Sequence, residues 1–347
     1  MDRSKTYTQD LLKKTDEGVI RMETKRLNEK DIKKAAALIQ AGEIVAFPTD
    51  TVYGLGADAR DDVAVKKIFT AKNRPKDRPI SILLADPKDI QLYAKDIPKM
   101  AEDLVENFWP GALTIVLKAN DRLAASVHPK RDTVGMRMPD HPTTLALIKE
   151  TGFPLATPSA NLSGRPSPTS AEHVLTDLDG RIAGVIDAGE SEVGVESTVL
   201  DLSDPSRPLI LRPGAIGQKE IEEVIGKKVE KLEEQASKNP DAKHYEPKIP
   251  LYMVESTWPE ALEKMKDKKI AILASEETIE NYGQDVFESY SLGKKGKLKE
   301  ANKLFFKAIR SLEKSEADYI LAESYPINEA SEVYMNRLEK AANQKKL

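Results

Sequence analysis

The sequence predicts an α/β protein: an open, twisted, mixed β-sheet flanked by helices, followed by a second, smaller parallel α/β layer. Between residues 43 and 213, short apolar runs are bounded by Gly, Pro or Asp, and several succeed one another without an intervening helical stretch, so parallel and antiparallel neighbours must share one sheet. From residue 248 onward, apolar runs alternate with amphipathic stretches of helix length, the pattern of strands joined by helical crossovers. At 347 residues the chain is long enough to build two cores.

Along the chain, residues 1–24 are polar and expected to fray, after which NEKDIKKAAALIQAG predicts a helix with Asn28 as N-cap and Gly42 as its stop. EIVAF is a strand broken by Pro48. ISILLA, ALTIVLKA, TVGMRMP, GVIDAG, STVLDL and PLILRP are further short strands, and VAVKKIFTA, IPKMAEDLVEN, PTTLALIKET and SAEHVLTDL are helices. From Gln218 the composition turns to Lys and Glu, and EQASKNPDAK reads as a solvated connector. Beyond it come KIPLYMVE, an amphipathic stretch from Trp258, KKIAILAS, VFESYSL, LKEANKLFFKAIRSL, ADYILAE and SEVYMNRLEKAA, strand alternating with helix. This half has no Gly-rich phosphate loop, which points to a structural, docking or regulatory role.

Composition removes whole classes of function. With 32% charged and 40% hydrophobic residues, no apolar stretch is long enough to cross a bilayer. The absence of cysteine excludes disulfides, thiolate metal sites and cysteine nucleophiles, and the opening MDRSKTYTQDLLKKTDEG has no apolar signal core, so a cytoplasmic location is expected. A net charge of −4 argues against a surface made wholly for nucleic acid and leaves room for a local basic groove, so that any RNA partner must be met locally.

Gly54-Leu55-Gly56-Ala57-Asp58-Ala59 has the form of a dinucleotide fingerprint, but Pro48 and the polar run Thr49, Asp50, Thr51 separate it from the strand it should follow, and Asp61 with Asp62 starts the helix too late. Its glycines are better suited to close approach of backbone to backbone or to a ligand. No P-loop, GxSxG or HExxH is present, and His128, His141, His173 and His244 have no metal-site spacing. Magnesium carried on nucleotide phosphates needs no such site.

Two short segments, AKNRP and TPSANLSG, read as non-helical, stand out instead. Lys72 and Arg74 are cations suited to spread oxyanion charge, and Ser159 and Asn161 can fix its orientation, a combination that fits a polyphosphate. The same four residues also fit solvated loop charges and chain-turning polar groups. Strand alternation puts Arg137 on one face with Gly135, opposite Met136 and Met138, where its guanidinium can clamp a carboxylate or stand as an edge-strand charge.

Taken jointly, FPTDTVYGLGADA, AKNRP, WPGALTIVL, TVGMRMPDHP, ATPSANLSGRPSPT, GVESTVLD and LRPGAI resemble, in order and spacing, the YrdC family of threonylcarbamoyl-AMP synthases. Residues 239–247, closing on His244-Tyr245-Glu246-Pro247, resemble the interdomain linker of the family's long form, and MNRLEKAA resembles the close of its second domain. The resemblance implies a YrdC-like catalytic domain over residues 25–220, a linker over 221–247 that folds across the active site, and a small Rossmann-like domain over 248–347. It implies synthesis of L-threonylcarbamoyl-AMP from L-threonine, bicarbonate and ATP with release of pyrophosphate, for modification of tRNA beside the anticodon. Magnesium would accompany the ATP phosphates, and the product would pass to a tRNA threonylcarbamoyl transferase.

Residue by residue, the resemblance assigns Lys72, Arg74, Ser159 and Asn161 to catalysis. ATP falls to Lys72, Arg74, Thr133, Ser159, Ser167, Arg212, His244 and Tyr245, and threonine to Thr49, Arg137, Thr157 and Ser197. Pro79-Ile80-Ser81-Ile82-Leu83 departs from the family at Leu83, where many members carry histidine, and Asp241 replaces a common linker glycine. The chemistry asks for alignment and charge neutralisation without an enzyme nucleophile, so loss of Lys72 or Arg74 should lower turnover severely with little loss of folding. A non-enzymatic RNA-binding module on the same face is the rival reading, disfavoured by overall acidity and 5% aromatic content. A hydrogenase-maturation carbamoyl-transfer domain would bring cysteines that this chain lacks.

Overall fold

A computed structural model of the chain describes residues 23–232 and 244–347, and the backbone of the strands Leu12–Lys14 and Ile20–Met22, which pair antiparallel. The chain divides into two compact units. One comprises the described parts of Met1–Ser163 and Glu196–Glu233 with Pro168–Ser191; the other comprises Gly164–Ser167, Glu192–Val195 and the described part of Glu234–Leu347.

In the first unit, eleven strands among the described residues form one mixed sheet in the order Glu230–Lys231, Leu209–Arg212, Thr198–Asp201, Leu113–Lys118, Thr133–Arg137, Ile82–Leu83, Leu155–Ala156, Gly54–Asp58, Val45–Phe47, Gly184–Asp187, Lys25–Asn28. Parallel and antiparallel pairings are interspersed, as expected from strands that follow one another without helices. Alternation along each strand splits the core. Ile82, Ile115, Leu117 and Met136 meet Val65, Ile68 and Leu104 of the helices Asp62–Lys72 and Lys99–Phe108. On the other face Val45, Phe47, Leu83 and Leu155 meet Ile39 and Leu147 of the helices Ile32–Gln40 and Pro142–Thr151. Further along this second face the positions are polar or lack a side chain: Ser81 pairs beside Gly135, and Thr114 beside Arg137, in the registers set by Ile82–Met136 and Ile115–Met136. There the sheet presents hydrogen-bonding groups in place of a core.

The helix starts follow their caps. Asn28 accepts from the Lys30 amide at 2.9 Å while Asp31 accepts from the Asn28 amide, and Asp61 accepts from the Val63 amide at 2.8 Å. Gly54–Asp58 is a strand, antiparallel to Val45–Phe47, in keeping with its rejection as a dinucleotide loop. Two readings change. Lys72 is the last residue of the helix Asp62–Lys72, not part of a loop, and the chain turns only at Asn73, whose φ is 51°. The Lys- and Glu-rich stretch after Gln218 includes the helix Gln218–Ile225, which seals the core with Ile221, and the strand Glu230–Lys231. Its later part, residues 233–243 with Asp241, lies outside the described residues.

The second unit is a small Rossmann-like layer. Its four strands are all parallel, in the order Leu251–Val254, Tyr319–Glu323, Ile270–Ala274, Glu288–Ser291. Helices Trp258–Lys264, Glu276–Tyr282 and Leu298–Leu312 make the crossovers, and Glu332–Ala342 closes the unit. Where strands end between Ala274 and Glu323, the Glu323 carboxylate accepts from the Ser275 amide at 2.6 Å and the Thr278 hydroxyl at 3.0 Å. Among the described residues, no helix is long and apolar enough to cross a membrane.

Candidate active site

Arg137 ends its strand on the polar face of the large sheet, buried at 6% exposure. Its Nε donates to the Gly111 carbonyl oxygen at 2.8 Å, Nη1 donates to the Thr51 hydroxyl at 2.8 Å, and Nη2 donates to the Asp50 carboxylate. A guanidinium carries five N–H donors, so the fork is oriented by protein on one side while donors remain for a ligand. Burial lowers its affinity for the proton, partly offset by Asp50, and Arg212 adds repulsion. Thr49, also buried, organises the turn before Tyr53: its hydroxyl donates to the Val52 carbonyl oxygen at 2.7 Å and accepts from the Thr51 amide at 3.2 Å.

From Arg137 the polar face continues across neighbouring strands. The Thr114 and Ser197 hydroxyls lie 2.8 Å apart, and Arg212 donates through Nη2 to the Ser197 hydroxyl at 3.2 Å and its carbonyl oxygen at 2.9 Å. Thr157 joins through its backbone, donating to the Ser81 carbonyl oxygen at 2.8 Å. Gly135 leaves room here, since a Cβ would lie 2.7 Å from the Ser81 hydroxyl. Thr133 shares the alternating face of Gly135 and Arg137 at the other end of their strand.

The cations stand in two different environments. The Lys72 ammonium, at the end of its helix and 1% exposed, donates to the carbonyl oxygens of Asn161, at 2.5 Å, and Ser159. The Ser159 hydroxyl donates to the Asn161 side-chain oxygen at 2.5 Å, and the Ser163 amide donates to the Lys72 carbonyl oxygen at 2.8 Å. Lys72 is therefore also a structural fastener, and the expectation that its loss spares the fold does not hold for a lysine so placed. Gly54 completes this corner by a backbone bridge to Ser159, the close approach its sequence context suggested, and a Cβ there would meet the Thr157 methyl at 2.5 Å.

Arg74 is half-buried, donates through Nη2 to the Pro79 carbonyl oxygen at 2.9 Å, and leaves its buried Nε without a partner. Its burial, with Arg78 and Arg212 close by, lowers its pKa to about 10. Under-neutralised, partly desolvated cations with a spare donor are what an anion site looks like before its anion arrives. Among the described residues no group of three or more His, Asp and Glu stands together to hold a metal ion.

Lys72, Ser159 and Asn161 are thus brought together, as are Arg137, Thr49, Ser197 and Arg212, with Arg74 linked to Arg212 by charge. Ser167, His244 and Tyr245 belong to the second unit, where Ser167 is buried and the Tyr245 ring centroid lies 5.0 Å from that of Phe306. Leu83 is packed in the apolar core with Phe47 and Leu155. Sequence reasoning passed over Asp50, Thr51, Arg78 and Thr114. The only signal for Asp50 was a charged residue placed two positions after a strand-ending proline.

Residues 37–214 match the Sua5/YciO/YrdC family model, described as telomere recombination, and residues 216–343 match the threonylcarbamoyl-AMP synthase C-terminal domain. A threonylcarbamoyl-AMP synthase from Bacillus subtilis (strain 168) is 44% identical over 328 residues, covering 91% of this chain and 94% of that protein. One from Pyrococcus abyssi is 40% identical over 333 residues, covering 91% and 95%. The crystal structure of P. abyssi Sua5 complexed with L-threonine superposes with a TM-score of 0.84 at 39% identity, over 94% of this chain and 98% of that one.

Proposed function

The chain belongs to the threonylcarbamoyl-AMP synthase family in its long, two-domain form, and on that premise we propose how its residues carry the reaction. The activity is synthesis of L-threonylcarbamoyl-AMP from L-threonine, bicarbonate and ATP with release of pyrophosphate, for threonylcarbamoyladenosine modification of tRNA next to the anticodon. We assign L-threonine to the polar sheet face, its carboxylate on the remaining donors of Arg137, with Thr49, Ser197 and the Thr157 backbone around it. That the P. abyssi relative was crystallised with L-threonine supports threonine as the ligand class.

The triphosphate falls to Arg74, Arg212, Lys72, Ser159 and Asn161, with Thr133, Ser167, His244 and Tyr245 completing the nucleotide contacts. The observation that carries this is Arg74, a partly desolvated cation with an unpartnered buried donor and two arginines beside it. Magnesium enters as part of the MgATP substrate, since this cationic set suits phosphate oxygens and not the metal. The threonine amine and bicarbonate condense to a carbamate with loss of water. A carbamate oxygen then attacks the α-phosphorus, forming a P–O bond as the bond to pyrophosphate breaks and its electron pair leaves with pyrophosphate.

The side chains do three things. Arg137 fixes the amino acid, Arg74 and Arg212 neutralise charge accumulating on the phosphates, and Ser159 with Asn161 orients them. Holding both substrates on one sheet face raises their effective concentration without a covalent enzyme intermediate. We further assign the catalytic domain to residues from 25 onward through the helix Gln218–Ile225 and the strand Glu230–Lys231, which belong to the first unit and so move the start of the linker beyond the expected residue 221; the linker, closing at 247, shields the labile carbamate from water, and 248–347 is the second domain. A cytoplasmic setting, transfer of the product to a tRNA threonylcarbamoyl transferase and a weak tRNA contact complete the proposal.

Incubation with ATP, labelled bicarbonate and threonine, followed by rapid chromatography, should yield a labelled threonylcarbamoyl adenylate from wild type and none from Arg74→Gln. Equal yields from both would remove Arg74 from the site.

A further inference from the structure

Within the second unit, one carboxylate holds three separate stretches of chain. Glu313 caps the helix Leu298–Leu312, and its side chain is 5% exposed. Its Oε1 accepts from Arg165 Nη1 at 2.8 Å and from the Lys248 amide at 2.6 Å, while Oε2 accepts from Arg165 Nη2 at 2.6 Å. Arg165 lies in Gly164–Ser167, the piece of the TPSANLSGRPSPT motif that carries Ser167, and Lys248 follows directly on His244-Tyr245-Glu246-Pro247. The two stretches also meet each other: the Glu246 amide donates to the Gly164 carbonyl oxygen at 2.8 Å, and Arg165 Nη1 reaches the Glu246 carbonyl oxygen at 3.4 Å. Arg310, from the last turn of the same helix, donates to the Pro166 carbonyl oxygen at 2.5 Å, and Phe306, one turn earlier, meets the Tyr245 ring.

Nothing in the helix itself asks for this carboxylate. The C-terminal end of a helix carries partial negative charge, so an acid there is unfavourable unless a cation answers it. Burying the pair adds a desolvation cost that the two parallel N–H···O bonds and the amide must offset. The node makes sense through what it holds, because both stretches it joins carry residues assigned above to the nucleotide.

We propose that Glu313, acting through Arg165 and the Lys248 amide, is a positioning residue for ATP: it sets where Ser167 and the His244-Tyr245 pair stand, so Glu313 tunes nucleotide affinity without itself touching the nucleotide. This rests on the assignment of Ser167, His244 and Tyr245 to ATP. Glu313→Gln is nearly isosteric and keeps one acceptor but loses the charge and the paired fork.

The test compares steady-state kinetics of wild type, Glu313→Gln, Arg165→Gln, the double variant and Ser167→Ala in the full-length enzyme, with thermal melting of each. Displaced contacts should raise the KM for ATP in Glu313→Gln by up to about a hundredfold while the KM for threonine changes little. The double variant should be no worse than the worse single one, because both remove the same node. Glu313→Asp, which restores the charge, should recover part of the loss. A purely structural role would lower the melting temperature and leave the ratio of the two KM values unmoved, which overturns the proposal. If Ser167→Ala raises the KM for ATP but Glu313→Gln does not, the node has no positioning role. If neither moves it, the assignment of Ser167 to the nucleotide fails first and takes the proposal with it.

Discussion

The Lys72 ammonium donates to the Asn161 carbonyl oxygen at 2.5 Å, so the end of a helix and the loop after the strand Leu155–Ala156 are fastened by a cation that we also propose for the phosphate site. Arg74, two residues on, has no comparable structural duty. The two cations should therefore separate when stability and activity are measured on the same variants. Lys72→Ala strands two carbonyl oxygens and empties buried space, and is expected to cost about 3 kcal/mol of unfolding free energy as well as activity. Arg74→Ala removes a guanidinium disfavoured by burial and by Arg78 and Arg212, and should lose activity with stability unchanged or slightly raised. Urea denaturation of the ligand-free proteins decides it, and equal midpoints for Lys72→Ala and wild type would contradict the fastening role.

The lowered Arg74 pKa gives a pH dependence with a definite sign. In the folded protein the group loses its proton around pH 10, whereas phosphate oxygens favour the protonated form. Nucleotide affinity should hold steady from neutral pH to about 9 and weaken as pH rises through about 10, with proton uptake on binding in that range. For folding, the unfolded guanidinium holds its proton more tightly than the folded one. This group's unfavourable contribution is therefore fully present below pH 10 and fades as pH rises from there toward the unfolded pKa. Titration calorimetry in buffers of different ionisation enthalpy reads the proton uptake, and its absence near pH 10 would contradict the assignment.

Asp50 faces Arg137 in a buried pair, so its removal leaves an uncompensated cation. Asp50→Ala is expected to cost roughly 3–5 kcal/mol of stability. Because Arg137 then loses the partner that sets its plane, the KM for threonine should rise more than that for ATP. Asp50→Asn, which keeps an acceptor for Nη2, should be milder on both counts. Chemical denaturation and substrate-resolved kinetics give the two readouts, and an unaltered threonine KM in Asp50→Ala would show that Arg137 needs no such orientation.

Pro213 and Gly214 cross the start of the strand Thr198–Asp201 so closely that a Cβ on Gly214 would lie 2.2 Å from the Thr198 nitrogen and 2.7 Å from the Glu196 carbonyl oxygen. Backbone cannot swing aside as a side chain can. Gly214→Ala should therefore shift Arg212 relative to Ser197, cost about 3 kcal/mol in thermal denaturation, and weaken both substrates. Wild-type behaviour in melting and kinetics would show the loop to be more accommodating than its packing implies.

Much of this was legible in the chain because local chemistry and tertiary role agree. Leu113–Lys118 and Thr198–Asp201 are rich in branched residues and bounded by breakers, and the helix Leu298–Leu312 runs between the ends its amphipathic repeat marks. Legibility failed where tertiary neighbours decide. Gly54–Asp58 is a strand despite its glycines because Phe47 and Thr157 fill the space their side chains would take. Leu155–Ala156 is too short to show a period. Lys72 carries no mark of burial, since lysine ordinarily sits in solvent and is buried here by two carbonyl oxygens contributed from much later in the chain. Asp50 acquires its partner only when residue 137 arrives, a separation of 87 positions that no local window spans.

The parallel pairing of Leu113–Lys118 with Thr198–Asp201, and the reach of Arg212 back to Ser197, have a consequence for synthesis on the ribosome. A nascent chain that has emerged only as far as Asn161 owns Lys72, Arg74 and Arg137 but lacks Ser197, the strand Thr198–Asp201 and Arg212. Substrate can offer no shelter to such an intermediate. On the substrate assignments proposed above, full protection of the young polypeptide by ATP or threonine is expected only after Arg212 has left the exit tunnel, with most of the first unit completed unaided.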